Sequence, residues 1–136
     1  MIGVVIITNG HFGRELLRTT EEIVGRQEAA WGISVTHETG IESLSHSVEE
    51  AWKRLQSREG VLFLVDMLGG TPCNAAVLKT THLNAEVVTG VNLYMLVSAF
   101  THRSHLDLRS LALKVAEDGQ RAIRLPRDLL LKKAPL

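Results

Sequence analysis

The chain reads as an α/β domain: an open, mostly parallel sheet with helices on both faces. Three observations carry this reading. Ile2–Thr8 and Val61–Val65 are apolar without alternation, as strands buried on both faces are. Strand-like and helix-like periodicities alternate along the chain, the pattern of parallel strands joined by crossover helices. Turn chemistry stands where strands give way to helices. A chain of 136 residues fits one domain with a sizeable core.

The elements follow in order. After Ile2–Thr8, Asn9-Gly10 turns into a helix with Phe12, Leu16, Leu17, Ile23 and Val24 at helical spacing, and Gly25 stops it. Trp31, Ile33 and Val35 alternate, so Ala30–Val35 is a second strand. Thr39 and Glu42 form a capping box that opens a helix with Ile41, Leu44, Val48, Ala51 and Leu55 on one stripe. The strand Val61–Val65 ends on Asp66. Two glycines follow, then Thr71 as N-cap and Pro72 as first helical residue of a helix to about Lys79. Ala85–Val88 is a fourth strand, and Thr89–Asn92 turns into a helix reaching about Ala99. Asp107 caps a further helix with Leu108, Leu111 and Val115 inward and Gly119 after its end. Arg121–Leu125 is expected as a short C-terminal strand. Residues 1–125 form the domain and 126–136, with Leu129, Leu130 and Leu131, a C-terminal extension, ordered or frayed.

Composition excludes several classes. Fifteen basic and fifteen acidic residues cancel, so no global field points to nucleic acid or to an anionic membrane. The apolar runs fall far short of a membrane span, and no secretory leader pattern opens the chain. One cysteine, Cys73, rules out an internal disulfide framework and suits a reducing compartment. Its position in the first turn of a helix can stabilise a thiolate, but a small buried residue is the commoner role. Six histidines show no metal-ligand spacing, so no metal site is expected; His37, His46, His82, His102 and His105 read as surface or loop residues.

The layout brings three turns to the carboxyl edge of the sheet: Thr8–His11, Asp66–Thr71 and Thr89–Asn92. Ligands of open α/β sheets bind there, and a helix N-terminus beside a flexible turn suits an anion such as phosphate. None of the turns is a P-loop or a dinucleotide fingerprint, and no acidic pair of a receiver domain follows the first strand. Aromatic residues make up 4% of the chain, with none placed to stack a flavin, so no cofactor is expected.

ITNG with its Leu-Leu helix, LFLVDMLGGTPCNAA and TGVNLYML together resemble the IIA component of the mannose family of the sugar phosphotransferase system, over nearly the whole chain. The resemblance implies a cytoplasmic phosphocarrier that takes a phosphoryl group from the small histidine carrier HPr onto a histidine and passes it to a IIB component. It also implies a homodimer in which the C-terminal strand, about Arg121–Leu125 here, crosses to the partner's sheet as an antiparallel edge. Sugar choice would belong to the membrane component.

One departure matters most. The family turn reads Thr-His-Gly, with the phosphate on that histidine, and here it reads Thr8-Asn9-Gly10. An imidazole is nucleophilic while neutral near pH 7, and a carboxylate such as Asp66 can hold its other nitrogen's proton. Thr71 and its helix N-terminus would serve the phosphoryl oxygens. Gly10, Met67, Leu68, Gly69, Gly70 and Asn92 would complete the phosphoryl- and partner-binding surface, with Phe12 and Arg14 on an apolar rim. A carboxamide has no basic lone pair and forms no phosphoramidate. Asn9 instead fits a helix cap or a hydrogen bond to Asp66, and its presence fits either a blocked or a naturally lost phosphosite. His11 is the alternative phosphosite, but two residues turn a helical side chain about 200° away from position 9. Two readings therefore stand: a phosphocarrier of this family, and a phosphorylation-blind interaction module that keeps the same surface.

Overall fold

The structure is a computed structural model and describes residues 1–55, 57–67, 69–80 and 82–133. Its elements run β1 (Gly3–Asn9), α1 (Phe12–Val24), β2 (Ala30–Val35), α2 (Ile41–Leu55), β3 (Val61–Val65), α3 (Thr71–Thr80), β4 (Ala85–Val88), α4 (Leu93–His102), α5 (Leu108–Arg121) and α6 (Pro126–Lys133). The four strands form one sheet in the order β2-β1-β3-β4. Every pairing is parallel, with Val5 opposite Trp31 and Phe63, and Phe63 opposite Val87.

Strand order fixes where the helices lie. The chain steps outward from β1 to β2 and then returns past β1 to β3. Right-handed crossovers in opposite directions place their helices on opposite faces. Accordingly, Leu16 and Leu17 of α1 join Val4, Ile6, Leu62 and Leu64 on one face, where α4 and α5 add Leu96, Leu111 and Val115. Leu44 and Val48 of α2, with Cys73 and Ala76 of α3, cover Val5, Ile7, Phe63 and Val65 on the other. Both faces of β1 and β3 are thus buried, which is why these strands are apolar throughout.

Two close approaches set the tight geometry. Gly13 lets the start of α1 lie on β1: a Cβ there would stand 2.7 Å from Thr8 Oγ1 and 2.8 Å from Thr8 Cγ2. Gly119 lies inside α5, where a Cβ would meet Met95 Cγ at 2.5 Å. The expectation that Gly119 follows the helix is therefore corrected: it is a packing glycine, and α5 runs two residues beyond it.

Other expectations change for similar physical reasons. Residues 121–125 hold no strand within the chain. They finish α5 and lead into α6, and the described sheet has no antiparallel fifth strand. Periodicity over five residues cannot distinguish a strand from a helix end with a short connection. The extension from 126 includes helix α6, and Ile123, Leu125 and Leu130 stand 82%, 71% and 71% exposed. Thr39 does not make the capping box, because its hydroxyl accepts from the Thr36 N–H at 3.0 Å and closes the preceding turn. Asp107 does cap α5, accepting from the Ser110 N–H at 2.8 Å.

At the amino edge of the sheet, Arg103 is 3% exposed. Its guanidinium donates to the carbonyls of Ile2, Ala29 and Glu28 and to Gln27 Oε1, at 2.7 to 3.3 Å. Burial lowers its pKa, with nearby Glu28 opposing the shift. No periodicity argument could have found it, since its partners are mostly main-chain oxygens distant in sequence.

Two predictions follow from this packing. Gly13→Ala should cost about 1–3 kcal/mol in urea unfolding, because the added methyl meets a buried strand; an unchanged midpoint would refute the close approach. Between α4 and α5, the Ser98 hydroxyl donates to Asp118 at 2.6 Å and lowers the Asp118 pKa, with Lys114 adding to the shift against the effect of burial. A depressed carboxyl pKa adds stability above its unfolded value, about 3.9, and that stability is lost as pH falls through the folded value. Ser98→Ala should therefore flatten the acid limb of stability below about pH 4, read by thermal unfolding across pH.

Candidate functional site

The winding reverses between β1 and β3, and open α/β sheets place their ligand crevice at the carboxyl ends of such a pair. Those two ends carry Asn9 and Asp66. Asp66 Oδ2 accepts from the Asn9 backbone N–H at 2.8 Å and from Asn9 Nδ2 at 3.0 Å. Its Oδ1 accepts from the Met67 N–H at 2.8 Å, and its carbonyl accepts from the Gly90 N–H at 3.0 Å. One residue therefore ties together the turns after β1, β3 and β4. A carboxylate only accepts, so the side chain of Asn9 meets it through nitrogen.

The first turn is built around Thr8, which is fully buried. Its hydroxyl oxygen accepts from the Gly13 N–H at 2.9 Å, serving an orphan donor at the start of α1. The N-cap residue of α1 is His11, and its side chain makes no capping bond. Asn9 is not a helix cap either: it is the last residue of β1 and faces Asp66. Gly10 takes φ +65° to leave the strand, and its N–H donates to the Val35 carbonyl at 2.7 Å. Thr8 escaped the reading of the motif, although a lone hydroxyl at the end of a buried apolar strand was its signal.

His11 points elsewhere. Its Nδ1 lies 2.9 Å from Ser34 Oγ on β2, on the side of β1 away from β3. Asn9 and His11 thus flank β1 in opposite directions. Asn92 is also turned from the site: its Oδ1 accepts from the Met95 N–H at 3.0 Å as the cap of α4, and its Nδ2 reaches the Gly119 carbonyl at 3.3 Å. These bonds hold the Asn92 side chain in the α4 cap. Thr71 is exposed and opens α3 as its first helical residue, so Pro72 is the second and the expected capping order shifts by one. Gly69 takes φ +78°, and the Gly70 carbonyl accepts from the Asn74 N–H at 2.9 Å.

Met67, next to Asp66 in sequence, is 61% exposed, and Phe12, at the start of α1, is 45% exposed. Phe12 is therefore rim and not core. Arg14, also exposed, donates through Nε to the Gly32 carbonyl at 3.2 Å. Leu68 lies outside the described residues. Cys73 is 2% exposed, a small packing residue of α3. Among the described residues no cluster of three or more His, Cys, Asp or Glu side chains could hold a metal ion. A recess of about 650 Å³ opens at the amino edge, between Trp31, Arg54 and Glu59, remote from these turns. The site is an exposed set of turns with an apolar rim, a shape that meets another protein more readily than it encloses a small molecule.

Asp66→Ala should free both backbone donors. At ~1 kcal/mol per bond, amide exchange at Asn9 and Met67 should accelerate at least about fivefold. Unchanged exchange at both would mean the turn is held by other contacts.

Residues 3–116 match the EIIA-man family, described as the PTS system fructose IIA component. The chain is 35% identical over 130 residues to the PTS system mannose-specific EIIAB component of Escherichia coli (strain K12), across 90% of this chain and 40% of that protein. It therefore spans about two fifths of that relative's length. With the PTS system fructose-specific EIIA component of Bacillus subtilis (strain 168) it shares 30% identity over 97% of this chain and 91% of that one. The crystal structure of phosphotransferase system component EIIA from Streptococcus agalactiae superposes with a TM-score of 0.86 at 26% identity, covering 94% of this chain and 99% of that one. Fold and sequence agree: the chain belongs to the mannose and fructose family of phosphotransferase system IIA components.

Proposed function

We propose that this chain is a phosphotransferase IIA component that keeps the partner surface of a phosphocarrier and does not carry a phosphoryl group at position 9. The carrying observation is the bond from Asn9 Nδ2 to Asp66. A histidine at the end of β1 could donate one ring nitrogen's proton to that carboxylate and offer the other to phosphorus. Asparagine supplies the donor and has no nucleophile behind it. The carboxamide has no group that titrates at ordinary pH values. Asp66 would orient the residue at position 9, while Gly69, Gly70 and the start of α3 at Thr71 would receive phosphoryl oxygens.

In this reading Phe12, Arg14 and Met67 meet HPr and a IIB component in the cytoplasm, and the chain works as a phosphorylation-blind module. No helix among the described residues is long and apolar enough to cross a membrane. A homodimer through residues 121–131 would cover Ile123, Leu125 and Leu130, now exposed. The rival reading, an active carrier through His11, is disfavoured by the contact of its Nδ1 with Ser34 on the far side of β1.

Phosphoenolpyruvate, the first enzyme of the system and HPr test this together. The natural chain should take up no acid-labile, base-stable phosphate, and Asn9→His should acquire it on residue 9. Label on the natural chain, mapped to His11, would overturn the proposal in favour of the rival. Failure of Asn9→His to label would show that the crevice is not a phosphoryl site.

A further inference from the structure

Asn9-Gly10 is an exposed Asn-Gly pair, the dipeptide in which a carboxamide and the next backbone nitrogen meet with least steric hindrance. We infer that Asn9 is a deamidation site held in check by the fold, and that its conversion replaces the neutral donor facing Asp66 with a carboxylate. The reaction begins when the Gly10 nitrogen, losing its proton to water or hydroxide, attacks Asn9 Cγ. The new N–Cγ bond closes a five-membered succinimide. The Cγ–Nδ2 bond breaks, and Nδ2 leaves as ammonia after taking a proton from solvent. Water then opens the ring at either carbonyl and leaves an aspartyl or an isoaspartyl residue. No oxidant or reductant is needed.

Both reacting groups are engaged in the folded chain. Nδ2 is bound to Asp66 Oδ2 at 3.0 Å, which holds the carboxamide toward β3. The Gly10 N–H donates to the Val35 carbonyl at 2.7 Å, on the β2 side. The nucleophile and its target are thus tethered to different neighbours, and attack requires the turn to open. The structural guard is the same Asp66 contact that places residue 9 at the crevice.

Conversion reverses the sign of that contact. Two carboxylates at hydrogen-bond distance repel, and one must bind a proton or the pair must part. The turn would lose its bond to Nδ2, and the crevice would meet an approaching phosphoryl group with two anionic side chains. That last consequence rests on the partner surface proposed above.

The full-length protein is incubated folded and in concentrated urea, and the peptide containing residue 9 is followed by mass and by isoaspartate assay. Conversion should be at least about tenfold slower in the folded chain, because it waits on local opening. Hydrogen exchange at the Gly10 amide should be slow under the same folded conditions. Asp66→Ala, with folding verified by circular dichroism, should bring the folded rate toward the unfolded one. Should that variant unfold, the comparison of the natural chain in both states decides alone. Equal rates in folded and unfolded protein, or no conversion in urea, would overturn the inference. Phosphorylated HPr should bind the converted protein at least about tenfold more weakly than the unconverted one, from the added like charge. Equal binding would refute the charge consequence. No binding to either form would refute the proposed partner surface instead, leaving the measured conversion rates to stand for the guard.

Discussion

The architecture depends on one constraint: β1 and β3 are adjacent, and each is apolar on both faces. Such strands cannot leave either face to water, so helices must lie above and below them. Covering both faces with right-handed crossovers forces the chain to wind outward from β1, return, and continue past β3. The reversal leaves a gap between neighbouring connections above the β1 and β3 ends. Asp66 stands at that gap, and its two carboxylate oxygens and carbonyl gather the backbone of three successive turns. The crevice is a product of how the core had to be covered, and its chemistry is that of the residues ending the central strands.

Much of this was legible because its signals are local. Uninterrupted apolar strands, the α2 stripe at Leu44, Val48 and Ala51 and the Asp107 cap are all read from residues near one another in sequence, although Ile41, expected on that stripe, is exposed at the start of the helix. The pairing of Asn9 with Asp66 was readable too, once both were placed at strand ends. Part of what escaped reading depends on contacts distant in sequence, and part on local alternatives of similar weight. Gly119 resembles a helix stop, and only the approach of Met95 shows why it is glycine. Asn92 belongs to a turn beside the crevice, yet the Met95 N–H of α4 and the Gly119 carbonyl engage its side chain. Thr39 had two local uses for its hydroxyl, and closing the preceding turn prevailed. Residues 121–125 carry too few apolar positions for their period to choose between helix and strand.

The site also separates scaffold from reactivity. Thr8, Gly10, Asp66 and the glycines of the β3–α3 turn set geometry through buried or backbone bonds, and an amide at position 9 satisfies them as a donor. Preserving the fold therefore places little pressure on that position to be nucleophilic. A residue positioned mainly by its neighbours can be exchanged without loss of shape.

Arg103 carries a different consequence. It is the C-cap residue of α4, late in the chain, yet four of its hydrogen bonds end on residues 2 and 27–29. A buried guanidinium deprived of those oxygens would remain charged and unsolvated. Those bonds form only when the amino-terminal β-α-β unit and the carboxyl-terminal helical pair are docked, and separating the two exchanges them for bonds to water. A single side chain at the floor of the sheet thus favours the docking of the two halves, from the end opposite the crevice.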